Sequence, residues 1–419
     1  MTLPMRRRLR LSPIVFGVLL LAGCSTNGSP SSSSPSAVNI GLPAAFTGGT
    51  VQYGEPWFQG AQVAADYINS NGGIMGAQVN LIPVDTGGDP VDAVPAVRRM
   101  LALDNISMSL GLSGLDWTDS LSIINAAHMV NFSHIGSPAT DHLTYKYSFA
   151  TGSSDALMGS AMALYASIKG YHKIALAFDA SVGAQTLVPS IMKAAQVLGL
   201  TVVASPAIPL GAPSYEAEVL QIMQAHPDVI LTQLQPSLAG TFFQELVTLG
   251  GAANQPVIGS DLTLEKDWFA AVGSKEVQAH IVSLNGSSRT TGIGYQTFLT
   301  GYTNRYHTAP PYLGVNSYDG LTIGALAMID AHSTDPSVYV NDILDVTTPG
   351  AGKTTVYTFA QGATLLREGK KIKYYGASGP MVYNQYHRVS GDFTVDQGTS
   401  TGLTQIAVVP ADQLNKLVF

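Results

Sequence analysis

Short apolar runs alternate with helical stretches along this chain, and the alternation happens twice. Val38–Pro43, Val79–Val84, Ile106–Gly111 and Met129–Phe132 read as strands of one set. Lys173–Phe178, Thr201–Ala204, Val229–Thr232 and Pro256–Ser260 read as strands of a second. Between them fall helical patterns such as Val91–Leu103, Asp155–Lys169, Tyr215–Ala225 and Leu238–Leu249. A strand followed by a crossover helix and another strand builds a parallel sheet covered on both faces. The fold class is therefore α/β, with two doubly wound, Rossmann-like lobes. With 419 residues, each lobe can bury a core of its own.

The opening unit, residues 38–76, sets the pattern. A buried strand (Val38–Pro43) leads into a Gly/Thr-rich loop carrying Gln52 and Tyr53, and then a helix. Phe58, Ala61, Ala65 and Ile68 recur at spacings of three and four, which gives that helix one face to pack on a sheet. Asn71-Gly72-Gly73 stops it. Asp89-Pro90 supplies a cap and a first-turn proline for the next helix, in which Pro95 predicts a kink or a late start. In a doubly wound lobe the loops at the carboxyl ends of the strands hold the ligand. Here those loops carry Tyr53, Leu112–Trp117, Ser133–Pro138, Gln233, Gln235 and Asp261.

The residues also carry a resemblance. Ile40-Gly41, Thr47-Gly48, Gln52-Tyr53-Gly54, Gly60-Ala61, Ile68-Asn69, the run Asn71–Gly76, Asp85 and Asp89-Pro90 resemble the leucine/isoleucine/valine-type solute-binding proteins of ABC importers. The resemblance weakens after the opening but runs to the end, where Ser378–Tyr383 and Gly391-Asp392 match the family's late segment. It implies a type I periplasmic-binding-protein fold with a three-stranded hinge. One lobe is then 38–154 with 286–375, and the other 155–285 with 376–419.

Carried over residue by residue, the resemblance places Tyr53 at the aromatic of the first loop and Ser137 at a ligand-touching hydroxyl. It places the Ile135 carbonyl at a backbone acceptor and Asp261 at the carboxylate that meets the solute's ammonium. Gln235 and Val182 fall on the wall of the second lobe. Local roles stand beside these: Tyr53 can cap its helix, Ser137 can be a turn residue, and Asp261 can be the N-cap of a helix Thr263–Ala270. The sequence departs from the family at Gly111–Thr118. An ungapped match puts Leu115 where amino-acid binders present a hydroxyl, and Ser113 serves only if a gap is opened. Asp116 repels a carboxylate unless the loop turns it away, or it recognises a cation or a sugar-like hydroxyl with Trp117 as stacking face, or both residues lie outside the cleft. Several relatives tie this loop to the Asp-Pro loop by a disulfide; Gly88 and Gly114 stand in the two corresponding places.

The N-terminus gives an address. Arg6, Arg7, Arg8 and Arg10 precede the apolar run Leu11–Leu21, which is too short to read as a spanning helix. Leu21-Ala22-Gly23-Cys24 resembles a bacterial lipobox, and Cys24 is the only cysteine of the chain. Residues 1–23 are thus expected to be a lipoprotein signal peptide, with Cys24 lipidated and 24–37 a Ser/Pro-rich tether. The location is extracytoplasmic, lipid-anchored to the membrane, with a Gram-positive type of envelope favoured by the Ala/Gly/Thr-rich composition.

Composition excludes other classes. A net charge of −7 with only 12% charged residues and no basic stripe after residue 10 argues against nucleic acid. His128, His134 and His142 lack metal-ligand spacing, Gly111–Leu115 is not a hydrolase elbow, and no dinucleotide fingerprint is present. No catalytic residue, metal or cofactor is expected. The reading is a monomeric solute-binding lipoprotein that takes a small polar solute, an amino acid with a hydrophobic or sizeable side chain, to a permease and its ATPase subunits. The alternatives are a ligand-sensing receptor of the same fold, or a binder of an aromatic acid, a polyamine or a sugar-like solute.

Overall fold

Strands β1 (Val38–Ala44), β2 (Val79–Asp85), β3 (Met108–Leu110), β4 (Asn131–Ser133) and β5 (Ser148–Ala150) form an all-parallel sheet in the order β2-β1-β3-β4-β5. The computed structural model describes residues 37–264, 266–286, 292–311, 313–399 and 402–418. Cys24, the signal segment and all but the last residue of the tether lie outside the described residues. A second parallel set repeats the same winding with β6 (Lys173–Phe178), β7 (Thr201–Ala204), β8 (Val229–Gln233), β9 (Val257–Gly259) and β10 (Ile281–Asn285), ordered β7-β6-β8-β9-β10. In each lobe the winding reverses beside the first strand, between β1 and β3 and between β6 and β8. Those two switch points are where connections leave in opposite directions and open a crevice.

The first helix, α1, spans Val51–Ser70, so it begins earlier than its apolar spacing suggests. Gln52 and Tyr53 lie in its first turn instead of a preceding loop. Its buried face is also wider than expected and is centred on Trp57, Ala61, Ala64 and Ile68, while Phe58 is only half-buried. The reason is that α1 is covered twice, by the sheet and by the helix Gly314–Asp330. Trp57 Nε1 donates to the Leu110 carbonyl of β3 at 3.1 Å, and Ser317 Oγ donates to the Trp57 carbonyl at 2.6 Å. Two glycines permit this packing: a Cβ on Gly54 would stand 1.9 Å from the Ala45 carbonyl oxygen, and one on Gly60 1.9 Å from that of Gly314. The next helix, α2 (Pro90–Leu103), starts on time under the Asp89 cap, whose carboxylate accepts from Val91 N at 2.8 Å and Asp92 N at 3.1 Å. It runs on through Pro95. The expected helix Thr263–Ala270 is instead a 3-10 turn, Asp261–Leu264, followed by Lys266–Val272.

The chain leaves the first lobe after β5 and returns after β10. Strands β11 (Thr354–Val356), β12 (Ile372–Gly376) and β13 (Gly379–Pro380) then form a small separate sheet. The helix Gly314–Asp330, buried on nearly all sides, carries Asp319 at its middle. That carboxylate accepts from Tyr374 Oη at 2.6 Å and from the N–H groups of Ala377 and Ser378 at 2.8 Å each. Residues 377–390 therefore stay with the first lobe: Ala377, Met381, Tyr383 and Val389 join its core, and Arg388 bridges to β5. This moves the last passage between lobes from residue 376 to beyond residue 390. There β14 (Phe393–Thr399) and β15 (Gly402–Val409) add an antiparallel hairpin to β10. The hairpin has no counterpart in the sequence reading. Among the described residues no helix is long and apolar enough to cross a membrane.

Candidate functional site

The carboxyl ends of both strand sets face one cavity of about 750 Å³. Tyr53, Leu115, Trp117, Ile135 and Ser137 line it from the first lobe, and Val182, Gln235 and Asp261 from the second. Eight of the nine residues singled out as ligand contacts are thus gathered on one site. Leu115 from the first lobe and Val182 from the second, both exposed apolar side chains, line the same cavity. A patch of exposed apolar surface in a concave position is a signature of ligand contact.

Asp116 is the ninth, and it does not line the cavity. Its side chain is fully buried behind the loop, where Oδ2 accepts from Thr86 Oγ1 at 2.8 Å. Oδ1 accepts from Ser113 N at 3.2 Å and Gly114 N at 3.1 Å. Burial raises its pKa against these three donors. Asp116 therefore organises the loop from inside and leaves Trp117 facing the cavity. The same bonds point two of the loop's backbone N–H groups away from a solute. Gly88 and Gly114 both abut Thr50, with built Cβ atoms 2.1 and 3.0 Å from its hydroxyl, so a threonine side chain fills the space between these two loops.

The Ile135 carbonyl is not an open acceptor either. It receives Arg388 Nη2 at 2.6 Å, while Nη1 of the same guanidinium donates to Thr140 Oγ1 at 2.8 Å. Arg388 Nε stands 2.9 Å from Asp141 Oδ1, with both side chains nearly solvent-free (4% and 2% exposed). That contact is a charge contact without the alignment of a hydrogen bond. Ser137 caps the short turn Pro138–Thr140 by accepting from Ala139 N at 3.4 Å. Its O–H proton can still donate, because a hydroxyl accepts and donates at once.

Several cavity residues escaped the sequence reading. Asp179 directly follows β6, and its carboxylate accepts from Ser181 N at 2.9 Å and Gln235 N at 2.8 Å. It stitches the ends of β6 and β8 together across the second switch point. Its place immediately after a strand was a usable signal. Asp155, at the first residue of the helix Asp155–Ile168, lines the cavity next to the passage between lobes. No local pattern marks it, because its importance comes from where the chain crosses. His134 also lines the cavity, and burial with Arg388 nearby holds its pKa down to about 4, so it is neutral. His128 stacks on Tyr147 and His142 meets Tyr386 edge-on. Among the described residues no group of three His, Cys, Asp or Glu side chains could hold a metal ion.

The electrostatics are one-sided. Three aspartates (155, 179 and 261) line the cavity, and no lysine or arginine does so among the described residues. Burial is the first cause of a raised Tyr53 pKa, a hydrogen bond with Gln52 opposes it, and the charges of all three carboxylates add to it.

Two α/β lobes that present their switch points to a shared cleft, with donors on one wall and an acid on the other, define a clamp for a small solute. The sequence profile of the periplasmic binding protein family matches residues 37–399, and the chain belongs to that family. The Leu/Ile/Val-binding protein of Escherichia coli is 32% identical over 97 residues, 23% of this chain and 26% of that protein. The match thus spans about a quarter of the length of the curated relatives. Among solved structures, the substrate-binding protein LivJ of Streptococcus pneumoniae in complex with isoleucine superposes with a TM-score of 0.70 at 18% identity, over 89% of this chain and 99% of that one. A solute-binding protein of R. palustris in complex with benzoate also reaches 0.70, at 14% identity, over 89% and 97%. At these identities the structures establish the fold, a type I periplasmic-binding-protein architecture.

Proposed function

We propose that the chain is the solute-binding lipoprotein of an ABC importer. It captures a small polar solute between its lobes and hands it, chemically unaltered, to a permease driven by ATPase subunits. The observation that carries this reading is the 750 Å³ cleft at paired switch points, where Ser137 and Tyr53 face Asp261 and Gln235. An amino acid with a hydrophobic or sizeable side chain suits those walls. Its ammonium lies against Asp261, its carboxylate against Ser137 and the first-lobe loops, and its side chain among Leu115, Trp117 and Val182. The isoleucine bound by the pneumococcal relative is a solute of this kind. Closure follows from tighter binding of the solute to the closed form.

Small-angle scattering and thermal unfolding test the reading with L-leucine and L-isoleucine. One solute binds per monomer, the radius of gyration falls, and the unfolding midpoint rises. At a solute concentration 100 times its dissociation constant the folded state gains about 2.7 kcal/mol. No compaction and no midpoint shift with either solute sinks amino-acid capture. The anchor is tested separately, since residues 1–23 act as signal peptide and Cys24 carries the lipid on a tether to residue 37. Cys24→Ser moves the protein from the membrane fraction to the soluble extracytoplasmic fraction. Retention in the membrane overturns the anchor and leaves the solute reading intact.

A further inference from the structure

The cleft holds more negative charge than one ammonium needs. Asp179 is engaged by two backbone N–H groups. Asp261 is the partner already assigned. Asp155 remains. Among the described residues the only hydrogen bond to its carboxylate comes from Thr186 Oγ1 at 2.6 Å, on Oδ2. Its Oδ1 abuts Gly136, where a Cβ would come within 2.5 Å. A carboxylate offers about four acceptor sites, so one hydroxyl leaves most of them unmet. The nearby guanidinium of Arg388 is already placed against Asp141, Thr140 and Ile135. A partly buried carboxylate with so few donors is unfavourable unless a cation joins it.

The position of Asp155 matters as much as its charge. It begins the helix that follows the first passage between lobes, and its N–H donates to the Gly136 carbonyl of the first lobe at 2.8 Å. Thr186, from the second lobe, reaches it from the other side. A cation on Asp155 therefore sits in the cleft beside the passage between lobes, with Asp261 and Tyr53 lining the same cavity. Among the described residues no group of three His, Cys, Asp or Glu side chains could hold a metal ion, which favours an organic cation here. The first lobe points the same way, because Asp116 removes two backbone N–H groups that could have met a solute carboxylate.

Building on the solute-binding reading above, we propose that this cleft selects a solute with two cationic nitrogens, one met by Asp261 and the other by Asp155. The shared chemistry is a diamine or an amino acid with a cationic side chain.

Burial supports a pH signature. It lifts Asp155 to about 6, with Asp261 and Asp141 raising it and Thr186 and Arg388 lowering it. Below that pH the neutral carboxyl must release its proton to meet a cation, so dication affinity falls as pH drops through about 6.

Three matched probes test the proposal on the purified full chain by titration calorimetry at pH 7.5. L-Lysine carries both nitrogens, 1,5-diaminopentane is lysine without its carboxylate, and L-norleucine is lysine without its second ammonium. At least one of the two dications binds roughly tenfold or more tighter than norleucine, the range of one charged hydrogen bond. Asp155→Asn erases that ratio, the bis-ammonium probe losing far more affinity than norleucine. The dication, and not norleucine, weakens between pH 7 and 5. Norleucine binding as tightly as both dications overturns the proposal without needing any variant, as does a ratio that survives Asp155→Asn. If none of the three binds, the proposal also falls. L-Leucine in the same cell then separates the outcomes: its binding keeps the amino-acid reading, and its failure removes that reading too.

Discussion

Replacing Asp261 with alanine abolishes capture of an amino acid while leaving the fold intact. The residue opens the turn Asp261–Leu264 at the end of β9 and lines the cleft from the second lobe. On the proposed reading, closure removes its carboxylate and the solute's ammonium from water together. Truncating one partner of such a pair leaves the other buried and unpaired, which costs about 2–5 kcal/mol of affinity. That is a loss of roughly thirtyfold to several thousandfold. Asp261→Asn keeps the shape without the charge and is expected to lose nearly as much, because the attraction depends on ionisation. The side chain is only half-buried in the free protein, so far-ultraviolet circular dichroism and the unliganded unfolding midpoint stay near those of the parent. Calorimetric titration that returned the parental affinity for Asp261→Ala would remove this residue from the site.

The largest stability effect belongs to Arg388. Its guanidinium is closed off from solvent and joins three first-lobe partners: Asp141, Thr140 and the Ile135 carbonyl. Arg388→Met leaves the buried Asp141 carboxylate without its cation, and breaking a buried pair in this way costs about 3–5 kcal/mol. Urea unfolding followed by tryptophan fluorescence measures it, with Trp57 and Trp117 in the first lobe as probes. Burial already raises the Asp141 pKa and Arg388 lowers it, so without the arginine it rises further. The stranded carboxyl can then neutralise itself, and the deficit of the variant shrinks as pH falls toward the acid range. Asp141→Leu added to Arg388→Met should recover part of the loss, since the unpaired charge is then gone. A single variant within about 1 kcal/mol of the parent, the scale of an exposed ion pair, would refute the buried-charge account. Affinity falls as well, because the loop carrying Ser137 loses its support from below.

The two aspartates show how far local reading reaches. Asp261 was legible because it ends a strand, and in a doubly wound sheet the ends of strands define the crevice. Asp116 also lay in such a loop, but its side chain turns inward because three donors, Thr86 Oγ1 and two backbone N–H groups, wait behind it. One of those donors comes from β2's own loop, thirty residues away in sequence. No spacing within the loop reveals that. Ile135 repeats the lesson, since its carbonyl is claimed by an arginine 253 residues further along. Trp57 replaced Phe58 at the centre of the α1 face because a second helix covers that side, and the period of a sequence cannot tell one covering layer from two.

The sequence by itself determined the two windings and the set of loops that meet. Strand–helix alternation leaves a parallel sheet few other arrangements, and strand ends then fix where ligand groups stand. Tertiary structure alone decided the direction of individual side chains, the hold of Asp319 on Ala377 and Ser378, and the arrival of Asp155 at the cleft. These depend on contacts between segments far apart in the chain. A buried polar group goes wherever a partner exists, and only the folded molecule brings that partner near.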